Sequence, residues 1–259
     1  MPDLILVQRD GAIATVVLNR PDKLNAMTKP MWRRLGEVMR ALSDDDDLRC
    51  IVLRGAGGKA FSPGNDISEF ETDRYDPASA KAYGEVLDLA LGALKECRHP
   101  TVALIEGICV GGGLEIAALC DLRICGESSR FGVPIKRLGL VMAYPEIEGL
   151  LRLVGRAATL EILLEGRIFG AAEARDKGLV TKVVPDAEVE REAMDTARRI
   201  AEGAPLVARW HKKFVRRLER PEPLAPAELD EGYACYATKD FRVGYRSFLE
   251  KKTPVFEGR

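Results

Sequence analysis

Thr101-Val102-Ala103-Leu104-Ile105, then Glu106-Gly107-Ile108-Cys109-Val110-Gly111-Gly112-Gly113, then Leu114-Glu115-Ile116-Ala117-Ala118-Leu119 reads as a buried strand, a glycine-rich loop and a short helix. The same succession stands one unit earlier. Cys50 to Leu53 is a short apolar run, a glycine-rich loop opens at Gly55, and Tyr83, Val86, Leu87, Ala90, Leu91 and Leu94 recur at helical spacing. Strand, loop and helix thus repeat roughly every fifty residues without sequence identity, which predicts an α/β fold wound in successive turns. Such winding gathers the loops at one end, and loops gathered there make a site.

Upstream, Leu4 to Arg9 and Ala12 to Leu18 flank Asp10-Gly11, a dipeptide suited to positive φ, so the chain should begin as a β-hairpin. After Thr28 and Pro30, apolar residues at Met31, Leu35, Val38, Met39 and Leu42 follow helical spacing until Ser43 and four aspartates end the stripe. Downstream of Pro145 the pattern is nearly all helical, interrupted at Thr181 to Val184, and it closes with Phe241, Tyr245, Phe248 and Leu249 amid charge. Pro205, Pro221, Pro223 and Pro226 punctuate the last segment. They predict a core domain over 1–203 and a helical region over 204–259.

A chain of 259 residues, 46% hydrophobic, can bury one sizeable core. Lys and Arg number 39 against 40 Asp and Glu, so the net charge of −1 provides no field that would favour nucleic acid or an anionic membrane. Six cysteines lie far apart without a CxxC pair, mostly inside apolar runs, and read as thiols of a reducing, cytoplasmic setting. Charge arrives at Arg9-Asp10 before a signal-peptide core could form, and no run of eighteen apolar residues exists. Neither export nor membrane spanning is expected.

Two loops carry candidate chemistry. Gly55-Ala56-Gly57-Gly58-Lys59-Ala60 matches the dinucleotide pattern G-x-G-x-x-A, but Phe61-Ser62-Pro63-Gly64-Asn65-Asp66 prolongs the loop where that fingerprint must open directly into a helix. Gly111-Gly112-Gly113 instead stands at the start of a helix, where unhindered N–H groups and the positive end of the helix dipole face outward. That arrangement suits an oxyanion, although three glycines also serve close packing.

Taken together, Leu18-Asn19-Arg20-Pro21-Asp22-Lys23-Leu24-Asn25-Ala26-Met27, Lys59 to Ile67, Gly111 to Glu115, Cys120-Asp121 and Phe131-Gly132-Val133-Pro134 resemble the crotonase (enoyl-CoA hydratase/isomerase) superfamily. The resemblance runs on through Leu138-Gly139-Leu140, Arg152 to Gly155, Ala171 to Val184 and Phe248 to Lys251, in order along the whole chain. It implies a spiral of ββα-type turns with a C-terminal helical region, assembled as a homotrimer or a dimer of trimers. The ligand it implies is an acyl-coenzyme A thioester, with no separate cofactor, because coenzyme A is part of the substrate.

By position the resemblance makes the backbone N–H groups of Asn65 and Gly112 the oxyanion donors and Glu115 a catalytic carboxylate. It places the adenine near Lys23 to Ala26, puts Leu24, Ala26, Ala60, Ile67, Ile108, Pro134, Ile135 and Leu138 along the acyl and pantetheine groove, and brings in Pro63 and Gly111 as loop residues of the site. Lys251 matches a lysine that reaches the coenzyme A phosphate of a neighbouring subunit. Asp66 is read as a cap for the loop N–H groups.

Proton transfer is where the sequence departs from that pattern. The second hydratase glutamate would follow Val133-Pro134, and here that residue is Ile135; an isomerase carboxylate would stand where Ala143 is. Water adds across a C=C bond most easily between two carboxylates, whereas one carboxylate can shuttle a proton between two carbons, so hydration and double-bond migration both stay open. A drier pocket lined by Ile135 should raise the pKa of Glu115. Tyr144, Glu146 and Glu148 are the nearby groups; Pro145 suits a helix start shared by both glutamates, and Tyr144 is read as packing. His99 and His211 form no triad or metal spacing, and His99 is read as structural. An alternative to an enzyme of this type is a catalytically idle acyl-CoA-binding subunit, or another chemistry of the superfamily such as thioester hydrolysis or decarboxylation.

Overall fold

The computed structural model describes residues 3–259. Strands β1 (Ile5–Asp10) and β2 (Ile13–Leu18) form the expected antiparallel hairpin, turning at Gly11 with φ +56°. Helix α1 (Lys29–Asp44) follows; Thr28 caps it by accepting from the Met31 N–H, and its buried face carries Met31, Trp32, Leu35, Val38 and Met39.

Three turns of the winding come next. The first comprises β3 (Cys50–Gly55), β4 (Ala60–Ser62), α2 (Phe70–Asp73) and α3 (Pro77–Glu96). The second is β5 (Thr101–Ile105), β6 (Ile108–Val110) and α4 (Gly112–Leu119), and the third β7 (Leu122–Gly126), β8 (Arg130–Gly132) and α5 (Tyr144–Glu165). The chain continues with β9 (Phe169–Gly170), α6 (Ala171–Asp176), β10 (Lys182–Val184) and α7 (Val189–Ala201), then α8 (Pro205–Leu218), α9 (Pro226–Glu231) and α10 (Lys239–Leu249).

The first strand of each turn joins a six-stranded sheet ordered β1-β2-β3-β5-β7-β10, and the second joins a four-stranded sheet ordered β4-β6-β8-β9. From β2 onward the large sheet is parallel. Both of its faces are covered, which explains why β3 and β5 read as unbroken apolar runs. Ile51, Leu53, Ala103 and Ile105 belong to the main core with α1, α3 and α4, while Cys50, Val52, Val102 and Leu104 pack with Val189, Ala193 and Ala197 of α7.

The loops that sequence reading left unbroken are in fact interrupted by β4 and β6, and β9 is a further strand within the segment read as helical. Strands of two or three residues are too short for period-two alternation to show, and neighbouring glycines mask them further. The segment from Pro205 onward is pinned to the core by basic side chains: Lys212 Nζ donates to His99 O at 2.9 Å and to Asp121 Oδ2 at 2.7 Å, and Arg209 donates to Leu48 O. The cysteines are free, five of them buried. No helix among the described residues is long and apolar enough to cross a membrane.

Candidate active site

Two loops meet where the second strand of one turn hands over to the next helix. In the first, Asn25 is fully buried at φ +65° and donates from Nδ2 to Ala60 O at 2.8 Å, while Ser62 Oγ donates to Asn25 O and accepts from the Gly64 N–H. Met27 continues the clamp: its N–H donates to Gly64 O, and its carbonyl accepts from the Asp66 N–H. Between these anchored neighbours, the Asn65 N–H has no acceptor among the described residues. Trp32 Nε1 donates to Asn65 Oδ1 at 2.7 Å and fixes the residue from behind.

In the second loop, Gly111 takes φ +52° and donates to Gly132 O, and α4 starts at Gly112, whose N–H also lacks an acceptor among the described residues. The two loops abut. A Cβ on Gly64, itself at φ +95°, would lie 2.6 Å from the Gly112 nitrogen, and one on Gly113 would lie 2.1 Å from Ser62 O. The glycines therefore let the two loops touch, and Asn65, Gly111 and Gly112 line one cavity of about 460 Å³. Two free backbone donors at one cavity could together hold a negatively charged oxygen.

Glu115 stands on the first turn of α4 and lines the same cavity. It is 8% exposed, and its Oε2 is buried without a hydrogen-bond partner among the described residues. Burial pushes its pKa up to about 8, with the nearby charge of Glu146 adding to the rise and Arg74 opposing it. That is the direction expected of a dry pocket.

Of the positions assigned to the site, Ala26, Pro63, Asp66, Ile67, Pro134, Ile135 and Leu138 also line this cavity. Asp66 does cap: Oδ1 accepts from the Ser68 N–H and Oγ, Oδ2 accepts from Arg20 at 2.6 Å, and these bonds hold its pKa down near about 2. Lys23, Leu24, Ala60, Ile108 and Lys251 lie outside the walls. The Ala60 side chain is buried in the core, Lys23 and Leu24 sit on an exposed turn, and Lys251 is exposed just beyond α10.

Around the acidic residues the structure adds detail and one correction. Tyr144 does not pack; it is 92% exposed. Pro145 is the second residue of α5, with Tyr144 the first, and Glu146 and Glu148 do share that helix. Glu148 turns away to pair with Lys95 and Arg152, whereas Glu146 lines the cavity with Glu115. His99 is wholly buried, and burial pushes its pKa down to about 4, in keeping with a structural role. Arg74 and Phe70, both in the cavity wall, went unnoticed in the sequence, where Asp73-Arg74-Tyr75-Asp76 looks like a solvated charge run. No periodic signal marks a residue at the frayed end of a four-residue helix such as α2.

The chain is similar to known proteins over its whole length. The family model described as "Enoyl-CoA hydratase/isomerase" matches residues 8–259. The probable enoyl-CoA hydratase echA8 of Mycobacterium tuberculosis is 33% identical over 99% of both chains, and the short-chain-enoyl-CoA hydratase of Clostridium acetobutylicum 30% identical over 96% of this chain and 95% of its own. A crystal structure of an enoyl-CoA hydratase/carnithine racemase from Magnetospirillum magneticum is 50% identical, covers all of this chain with 97% of its own, and superposes with a TM-score of 0.98. With a family match across nearly its whole length and relatives covered end to end, the chain belongs to the enoyl-CoA hydratase/isomerase family.

Proposed function

We propose that this enoyl-CoA hydratase/isomerase-type enzyme binds an acyl-CoA with the thioester oxygen between the Asn65 and Gly112 N–H groups, and that Glu115 moves a proton to or from C2. The observation that carries the reading is the pair of unused N–H groups opening into the cavity that holds Glu115. Two preorganised donors stabilise the enolate oxygen, each worth on the order of 3 kcal/mol of barrier. The helix dipole of α4 adds to them. At neutral pH Glu115 is held protonated by its burial, so it is poised to deliver a proton to C2 of a 2-enoyl thioester and, once ionised, to remove one. Coenzyme A enters only as part of the substrate.

Lys23, Leu24 and Lys251 are proposed to meet the coenzyme A end, which extends beyond the cavity walls. The exposed apolar residues of the C-terminal segment, Phe248 (83%) and Leu249 (74%) foremost, are proposed to be covered by further copies of the chain in a trimer or a pair of trimers. Turnover of purified protein on 2-enoyl-CoA and 3-enoyl-CoA, with Glu115→Gln as control, tests the reading. Activity on either substrate that vanishes in the variant supports it, and unchanged activity in the variant removes Glu115 from the chemistry.

A further inference from the structure

Ile135 leaves the oxyanion site one carboxylate short for adding water, yet the cavity does not hold only one. Glu146, from the first turn of α5, lines it together with Glu115 from the first turn of α4. The two differ in what surrounds them. Glu115 Oε2 has no donor among the described residues, so ionising Glu115 would leave a buried charge with only the Arg74 charge to oppose the cost. One oxygen of Glu146, Oε2, accepts the Ala143 N–H at 2.7 Å, and no donor is assigned to the other.

Arg74 completes the group. Its guanidinium stacks on Phe70 and Tyr83 with 4.7 and 4.8 Å between the guanidinium carbon and the ring centroids, its Nε is buried without a hydrogen-bond partner among the described residues, and it lies in the same wall. It is near enough to lower the pKa of both carboxylates, against burial that raises both. Arg137 is the other cation of the wall, and Asp88 of α3 is the remaining acid whose charge reaches Glu146. The Ala143 N–H therefore favours negative charge on Glu146 over Glu115, whose Oε2 has no such donor, and Arg74 favours the ionised form of both.

We propose that Glu146 is the second proton-transfer carboxylate of this enzyme, taking the role that Ile135 cannot fill, with Arg74 as its positioning cation, and that the reaction is therefore hydration of a 2-enoyl-CoA. This rests on the enolate reading above. In the step, a water molecule is the co-substrate. Its oxygen bonds to C3 as its proton passes to the Glu146 carboxylate, the C2=C3 electron pair moves toward the thioester oxygen held by Asn65 and Gly112, and the Glu115 carboxyl delivers its proton to C2. The product is a 3-hydroxyacyl-CoA; Glu146 is left protonated and Glu115 ionised, and return of that proton to Glu115 restores the starting state. No oxidant or further reactant is needed.

The test compares Glu146→Gln with wild type on two readouts: hydration of 2-enoyl-CoA, and exchange of the C2 protons of a saturated acyl-CoA in D2O. Glutamine keeps the acceptor for the Ala143 N–H, so α5 retains its cap. Exchange needs Glu115 and the oxyanion donors but no attacking water. The proposal expects hydration to fall by at least about a hundredfold while exchange falls by no more than about a tenth of that factor, and it expects wild-type kcat/KM for hydration to lose its acidic limb in the variant. Arg74→Gln should shift that limb to higher pH, since it removes the cation that favours ionised Glu146. Hydration in Glu146→Gln within about threefold of wild type would overturn the proposal and leave Glu146 as a helix cap. Wild type that exchanges at C2 and isomerises 3-enoyl-CoA but does not hydrate would overturn it while sparing the enolate reading. Wild type that fails to exchange would overturn both.

Discussion

The indole N–H of Trp32 donates to the side-chain oxygen of Asn65 at 2.7 Å, so a residue wholly buried in α1 holds the loop that carries the unpaired Asn65 N–H. The backbone N–H proposed to hold the thioester oxygen belongs to the same residue as that acceptor. Trp32→Phe keeps the aromatic packing and deletes the donor. It is expected to cost about 1–3 kcal/mol of stability through the stranded Asn65 oxygen, and to lower kcat by roughly tenfold through a loosened donor. Denaturant unfolding together with steady-state kinetics checks both; an unchanged kcat would show that Met27 and Ser62 hold the loop unaided.

The close approach of Gly64 and Gly112 makes a second expectation. Gly64→Ala puts a methyl group 2.6 Å from the Gly112 nitrogen at a φ of +95°, so it should both destabilise the loop and obstruct the donor. Gly112→Pro deletes the N–H at a helix position that tolerates proline. Each is expected to reduce turnover by at least about a hundredfold, the scale of one lost oxyanion donor. Gly112→Ala keeps the N–H, but its Cβ would stand 3.1 Å from Trp32 Cζ2 and 3.3 Å from the Gly64 Cα, so it should fall between proline and wild type. Turnover by a folded proline variant as fast as by the alanine variant would move the second donor elsewhere.

How much of this was legible in the sequence varied with the physics of each residue. The hairpin, α1, the central strands and the triple glycine at the start of α4 all carry local signals: positive-φ dipeptides, helical stripes and doubly buried apolar runs. Asn65, Gly112 and Glu115 were assigned by position in the family resemblance, and the structure brings all three to the wall of one cavity. β4 and β6 were hidden by their brevity. Arg74 and Trp32 reach the site by tertiary contact alone, Trp32 from the core face of a helix whose stripe reads simply as packing. Glu146 was visible as a helix-start acid, but only the placement of α5 against the cavity separates it from Glu148.

Stability should carry the signature of Glu115. Its folded pKa of about 8 lies above the ordinary carboxylate value of 4.5, so between those two values the native state keeps a proton that the unfolded chain has released. Its contribution is therefore whole below the unfolded value and is lost as pH rises toward about 8, at a slope of no more than about 1.4 kcal/mol per pH unit. Glu115→Gln cannot ionise. Unfolding free energies measured from pH 5 to 9 should show the variant increasingly more stable than wild type as pH rises, while it is inactive throughout. Parallel curves would mean that Glu115 is not buried as the structure has it.

Assembly gives an independent test of the exposed apolar end. Phe248→Asp together with Leu249→Asp is expected to shift the sedimentation of the protein from a trimer or hexamer toward the monomer. If the variant sediments with wild type, the interface lies away from α10.

In the proposed chemistry Glu115 moves a proton at C2 while Asn65 and Gly112 hold the thioester oxygen. The most direct measurement is mass-spectrometric: a saturated acyl-CoA incubated with the enzyme in D2O, scored for deuterium at C2. Wild type is predicted to incorporate deuterium, faster as pH rises through about 8 where Glu115 ionises, and Glu115→Gln to do so at least about a hundredfold more slowly. Incorporation at equal rates in both proteins, or none by a wild type that binds the thioester, would contradict the account.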